Sequence, residues 1–144
     1  MKILVRGEVL LVLVGALVLL MVGSVLASDL IYQSRRDWVP VAQVDAVPAQ
    51  EPLSVLLEKD ETVYLVRGEG EIIVLRARIA SGCQVVWEAN QRRFIDPCYG
   101  SQYTRDGTYT LGPDCCDLSR YPSKTINNEI WINPLRPIAG EKHR

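Results

Sequence analysis

Gly82-Cys-Gln-Val-Val-Trp-Glu-Ala-Asn-Gln-Arg-Arg-Phe-Ile-Asp-Pro-Cys-Tyr-Gly-Ser-Gln-Tyr-Thr-Arg-Asp-Gly-Thr-Tyr-Thr-Leu-Gly-Pro-Asp-Cys-Cys-Asp-Leu-Ser-Arg-Tyr121 decides the fold. Short runs rich in Val, Trp, Ile, Tyr and Thr alternate with turn residues, as strands separated by turns do. Val85–Ala89, Arg92–Ile95, Tyr103–Arg105 and Tyr109–Leu111 read as strands, divided by Ala89-Asn90-Gln91 and Asp106-Gly107. Outward from this stretch the pattern continues. Leu53–Leu57, Val63–Arg67 and Glu71–Arg76 precede it, with Gly68-Glu69-Gly70 as a turn. Lys124–Asn127 and Glu129–Asn133 follow it, and Asn127-Asn128 and Asp106-Gly107 have the composition of tight hairpin turns. No amphipathic helix of useful length follows Ala27. The class is all-β, a small antiparallel sandwich or barrel.

The chain has 144 residues, a formal charge of −1, four Cys and one His. Near-neutral charge argues against a nucleic-acid partner, which needs a clustered Lys/Arg excess. A lone His, at position 143, argues against a His-based triad and a Cys/His zinc site.

Val9 to Ala27 carries no charged or amide side chain. At about 1.5 Å per residue such a helix spans roughly 28 Å, close to the hydrocarbon thickness of a bilayer. A retained anchor and a cleaved signal peptide compete here. Val25-Leu26-Ala27 is a passable cleavage site, and the length of the run favours the anchor. The expected organisation is residues 1–8 as an N-terminal segment, 9–27 as a transmembrane helix and 28–37 as a polar linker. Residues 38–134 form the β domain and 135–144 a C-terminal tail, flexible or ordered by a partner.

The quoted stretch closely resembles the second half of a Rieske 2Fe–2S domain. In that family a first box, Cys-x-His-x-Gly-Cys, runs into a Trp-bearing strand pair, and a second box reads Cys-Pro-Cys-His-Gly-Ser-x-Tyr. Gly82-Cys83 matches the end of the first box, and Trp87, Arg93 and Phe94 match the hairpin. Pro97-Cys98, Gly100-Ser101 and Tyr103 match the second box. Asp106-Gly107, Gly112-Pro113 and Leu118-x-x-Tyr121-Pro122 match the remainder, and Trp38-Val39-Pro40-Val41 resembles the first strand.

The resemblance implies a disulfide between Cys83 and Cys98, as in the membrane-anchored branch of the family. It also places the four cluster-ligand positions at Arg78, Ala80, Asp96 and Tyr99. A Rieske centre needs two thiolates on one iron and two imidazoles on the other. Arg78 is always protonated and Ala80 has no donor atom, whereas Asp96 and Tyr99 offer oxygen to a different sort of ion. The expectation is therefore a degenerate member without the cluster, its pocket filled by the two loops, with Arg78 paired to an acid such as Asp96 or turned to solvent.

Cys115-Cys116 has no counterpart in the resemblance. Buried thiols, a second bridge, or a metal site built from Cys83, Cys98, Cys115 and Cys116 are the open readings. Asp96, Asp114 and Asp117 read as turn residues, since no nucleophile or His stands beside them in sequence.

The function these readings imply is a non-catalytic accessory subunit of a membrane respiratory or photosynthetic electron-transfer complex, without its own cofactor, catalytic residue or small-molecule substrate. The alternative is a redox protein carrying an iron–sulfur or other metal centre through non-standard ligands. Its partners are expected to be integral membrane subunits and the lipid bilayer. A bridge between Cys83 and Cys98 implies an oxidising compartment, which puts the β domain on the periplasmic side and Met1 in the cytoplasm.

Overall fold

The computed structural model describes the backbone of residues 2–143, and the side chains of 11–28 and 37–143 apart from Lys59. The chain divides into two units, Met1–Asp37 and Trp38–Arg144.

The first unit is one helix, α1, Lys2–Arg36. Leu11–Ser28 has a mean hydropathy of 2.6 and none of it is buried, so the helix is long and apolar enough to cross a membrane. The segment 28–37, expected as a polar connector, is helical through Arg36. No Gly or Pro lies between Ser24 and Asp37 to end the helix. Pro40 then favours an extended Val39, and the first strand begins there.

Among the described residues the second unit holds eleven strands in three antiparallel sheets. The first sheet is β1 (Val39–Gln43), β11 (Glu129–Ile132) and β10 (Ser123–Ile126), in the order β1-β11-β10. The second is β2 (Leu53–Leu56), β3 (Thr62–Arg67), β4 (Ile72–Arg76) and β9 (Arg120–Tyr121), in chain order. The third is β5 (Val86–Glu88), β6 (Arg93–Ile95), β7 (Gln102–Tyr103) and β8 (Tyr109–Leu111), also in chain order.

The second sheet is apolar on both faces, and alternation along its strands shows why. Tyr64 and Val66 of β3 enter one core with Leu75, Phe94 and Tyr103, whereas Val63 and Leu65 enter another with Val74, Ile130 and Ile132. Successive strand side chains point to opposite faces. The run Val63–Val66 is therefore buried throughout and sits between the other two sheets.

Two turns carry the backbone signature their composition predicts. Asn127 and Asn128 both have positive φ, 49° and 66°, as a type I′ turn requires, and they join β10 to β11. Thr104 to Thr108 closes the β7–β8 turn, with Thr104 N–H donating to Thr108 O at 2.8 Å.

The tail is not loose. Ile138 and Arg120 exchange backbone hydrogen bonds of 2.7 and 2.9 Å, Asp117 N–H donates to Glu141 O at 2.9 Å, and His143 N–H donates to Cys115 O at 2.7 Å. The two prolines that made this segment read as flexible, Pro134 and Pro137, lie before the paired part.

Candidate functional site

Three loops converge at one end of the third sheet. The first, between β4 and β5, is closed by the Arg78–Gln84 bridge. Within it Ile79 N–H donates to Cys83 O, and Gly82 takes φ +87°. The second, Asp96 to Ser101, follows β6. Asp96 N–H donates to Ser101 O and Gly100 N–H to Asp96 O. The third runs from Gly112 to Cys116 after β8.

Cys83 and Cys98 form a disulfide with Cα atoms 6.4 Å apart, tying the first loop to the second. The third loop is tied to the second by short polar contacts. Asp114 N–H donates to Ser101 Oγ at 3.1 Å, and Tyr103 Oη–H donates to Asp114 Oδ2 at 2.5 Å. Burial and the neighbouring Asp114 push the Tyr103 phenol well above its ordinary range. Gly112 fits because a Cβ there would lie 2.5 Å from Ser101 Cα.

Between the loops lies a cleft of about 220 Å³ lined by Ile79, Ser81, Asp96, Tyr99, Ser101 and Pro113, with Asp114 at its edge. Side chains of the two cluster-type loops, Asp96, Tyr99 and Ser101 among them, line this cleft. Tyr99 is 65% exposed. Arg78 is paired to an acid, Glu61 rather than Asp96. Its Nε lies 3.6 Å from Glu61 Oε2, and its Nη1–H donates to Gly82 O at 2.9 Å. Glu61 also takes a 2.7 Å ion pair from Arg76. Ala80 is exposed and contributes no polar side-chain atom.

Asp96 is 1% exposed. Its Oδ1 accepts Cys98 N–H at 2.9 Å, and its Oδ2 is buried with no partner among the described residues. The other loop aspartates also bind backbone. Asp114 Oδ1 accepts Cys115 N–H at 2.8 Å, and Asp117 Oδ1 accepts Tyr109 N–H at 2.7 Å. All three thus behave as loop-ordering acceptors.

The four cysteines fall in two pairs, Cys83–Cys98 and Cys115–Cys116, each closed by a disulfide. They also belong to two separate clusters of potential ligand atoms, with Asp96 and with Asp114 respectively. A four-thiolate site would require both bridges to open and the loops to move. His143 stands on the C-terminal segment, with Nε2 2.6 Å from Asp117 Oδ1 and its ring stacked on Tyr109.

No family model matches the chain. Individual proteins do. Over 127 residues the chain is 29% identical to the cytochrome b6-f complex iron-sulfur subunit 1 of Synechocystis sp., spanning 83% of this chain and 69% of that relative. It is 40% identical over 53 residues to the same-named subunit of Trichormus variabilis, which is 30% of that relative's length. In structure it matches the cyanobacterial plasma membrane Rieske protein PetC3 from Synechocystis PCC 6803. The TM-score is 0.54 at 28% identity, over 65% of this chain and 97% of the other.

The β domain is Rieske-like. The Rieske-like domain thus combines the fold, the inter-loop disulfide and the loop-closing contacts of Ser101 and Tyr103. Three of its contacts had no sequence signal. Glu61 reaches Arg78 from a distant turn, Tyr103 finds Asp114 only after the third loop folds back, and His143 is delivered by the tail. The adjacent acids and cysteines of Asp114-Cys115-Cys116-Asp117 were the one local cue that this loop is specialised.

Proposed function

We propose that this chain is a membrane-anchored, cluster-free Rieske-like accessory subunit of a membrane respiratory or photosynthetic electron-transfer complex. The named relatives are subunits of such a complex. The observation that carries the cluster-free reading is the donor set at the base of the cleft. Two thiolates and two imidazoles are required. The matching positions hold Arg78, engaged with Glu61, Ala80 without a donor, Asp96 folded onto Cys98 N–H, and Tyr99 turned outward. Only Asp96 offers a buried free oxygen, and one hard carboxylate oxygen is not a ligand set for iron bridged by sulfide. His143 is held to Asp117 and stacked on Tyr109. The residues present do not fit the cluster.

Without the centre, the domain's part is packing. The anchor helix docks beside integral membrane subunits and the β domain caps them. The Cys83–Cys98 bridge supports a site of assembly in an oxidising compartment, with the N-terminus on the cytoplasmic face.

The alternative is electron transfer through a cluster on non-standard ligands, favoured by the relatives' naming as iron-sulfur subunits. One experiment separates the two. Iron is quantified in the purified full chain, and the dithionite-reduced protein is examined by electron paramagnetic resonance. Iron well below one atom per chain and no Rieske signal are expected. Two irons per chain or a reversible redox couple with that signal would restore the electron carrier. Co-migration with membrane subunits after gentle detergent extraction tests the accessory role, and a free monomer argues against it.

A further inference from the structure

Cys115 and Cys116 are neighbours in the chain and are bonded to each other. Their bridge needs a different explanation from Cys83–Cys98. A disulfide stabilises by removing freedom from the unfolded chain, and that gain shrinks with the length of the loop closed. Cys83–Cys98 spans a separation of 15 residues and joins two loops. Cys115–Cys116 spans one peptide bond, whose geometry already fixes the Cα atoms 3.7 Å apart. It cross-links nothing. Adjacency also holds the Cα atoms closer than the roughly 4.4–6.8 Å that most disulfides adopt, and bridges outside that range open more readily. Cys115 is exposed and Cys116 half-buried. Cys98 is likewise exposed and Cys83 half-buried, so both bridges are open to thiol exchange and the difference between them lies in the loop each closes.

The surroundings give the bond something to control. The C-terminal segment pairs with this loop through isolated backbone bridges. His143 N–H donates to Cys115 O, Lys142 bridges to Cys116, and Asp117 N–H donates to Glu141 O. The His143 ring stacks on Tyr109 and meets Asp117. Gly140 lies flat on the Asp117 backbone, with no room for a Cβ. On the other side Asp114 takes Cys115 N–H and the Tyr103 hydroxyl, so the pair also borders the cleft. The strap therefore grips the backbone whose conformation the ring fixes.

We propose that Cys115–Cys116 is a thiol–disulfide exchange site for a dithiol, small or protein-borne, and that its reduction releases the strap. A donor thiolate attacks the exposed Cys115 sulfur. The Cys115–Cys116 bond breaks, and Cys116 leaves as a thiolate that takes a proton from water. The donor's second thiolate then attacks its own sulfur in the mixed disulfide, freeing Cys115, which is protonated in turn. Two electrons and two protons pass to the pair, and the donor leaves as its disulfide. The site stands whether or not the domain lacks a cluster.

The test is a stepwise dithiothreitol titration of the full chain in detergent micelles, followed by acid quench, maleimide labelling and peptide mass analysis. Cys115 and Cys116 are expected to label together at a reductant concentration about tenfold or more below that which opens Cys83–Cys98. Amide exchange at Asp117 and His143 should rise about tenfold at the same point. A Cys115→Ser/Cys116→Ser variant should show the fast-exchanging strap with no reductant. Labelling before any reductant is added, or opening only together with Cys83–Cys98, overturns the exchange site. Unchanged amide exchange after selective opening overturns the release. Should the variant not fold, the titration of the natural chain decides both points by itself.

Discussion

The hydroxyl of Tyr103 donates a 2.5 Å hydrogen bond to Asp114 Oδ2, and this bond pins the third loop to the centre of the third sheet. The ring of Tyr103 is fully buried in the core with Phe94 and Leu75. Tyr103→Phe keeps that packing and removes one bond to a charged acceptor, for about 1.5–3 kcal/mol of lost stability. Urea unfolding of the two proteins measures it. Burial first, then Asp114, raises the phenol's ionisation in the folded state. The unfolded chain ionises near pH 10. The stabilisation is complete below that pH and is lost as pH rises through the folded value. The gap between the natural chain and Tyr103→Phe should therefore narrow above about pH 10. A gap that stays constant across this window contradicts the assignment.

Gly112 and Gly70 separate backbone strain from lack of space. Both have positive φ, +118° and +92°. At Gly112 a new Cβ meets Ser101 Cα at 2.5 Å, whereas at Gly70 it meets nothing within 4 Å. Gly70→Ala should cost about 1–2 kcal/mol, the conformational penalty alone. Gly112→Ala should cost about 2–4 kcal/mol, since Ser101 and the Asp114 bond to it must also shift. Thermal melts of the pair read the difference, and equal losses would place Gly112 outside the tight approach described.

Much of this fold was legible because strands announce themselves locally. Val63–Arg67 and Glu71–Arg76 are runs rich in Val and Ile divided by the Gly68-Glu69-Gly70 turn, and they became β3 and β4. β9 was legible only through the resemblance, whose Leu-x-x-Tyr-Pro strand falls on Leu118–Pro122, because two residues, Arg120 and Tyr121, are too few to show a period. The strap escaped for another reason. Its pairing depends on which edge is left open after the sheets assemble, and that is not written in the tail's own composition. The Cys83–Cys98 bridge was readable only through the family resemblance, since four cysteines alone allow three pairings. The partner of Arg78 was not readable at all, because Glu61 approaches through the tertiary fold.

Removal of the Cys83–Cys98 bridge tests what holds the cleft open. A bridge across about 15 residues is worth about 3 kcal/mol in the chain-entropy account. Cys83→Ser/Cys98→Ser should lower stability by about 2–4 kcal/mol. Amide exchange should rise at Cys83 and Gly100, whose loops lose their cross-link, and remain slow at Leu65 and Leu75, which lie in the cores. Measured by hydrogen exchange, a uniform rise across both cores would instead make the bridge a determinant of the global fold.

Acid should loosen the turn that supports the second sheet. Asp106 sits in the Thr104–Thr108 turn, accepting from the hydroxyls of Thr104 and Thr108. Gly107, next in the chain, takes φ +87° beneath Leu75, and its carbonyl accepts Leu118 N–H at 2.8 Å. Partial burial works to raise the ionisation of Asp106. The Thr104 hydroxyl, the backbone amides of the turn and the Thr108 hydroxyl outweigh it, so the net shift is downward. A depressed carboxylate stabilises the fold above its unfolded value of about 4 and loses that contribution as pH falls through the folded value. The side chain is largely exposed, so solvent screening limits the effect to below about 1 kcal/mol. Asp106→Asn removes the charge but keeps an acceptor for the turn. The stability gap between the natural chain and Asp106→Asn should be widest at pH 6 to 7 and close toward about pH 2.5. Urea midpoints of both proteins at those pH values provide the measurement. A gap that widens in acid reverses the sign, and with it the claim that the turn favours the charged form.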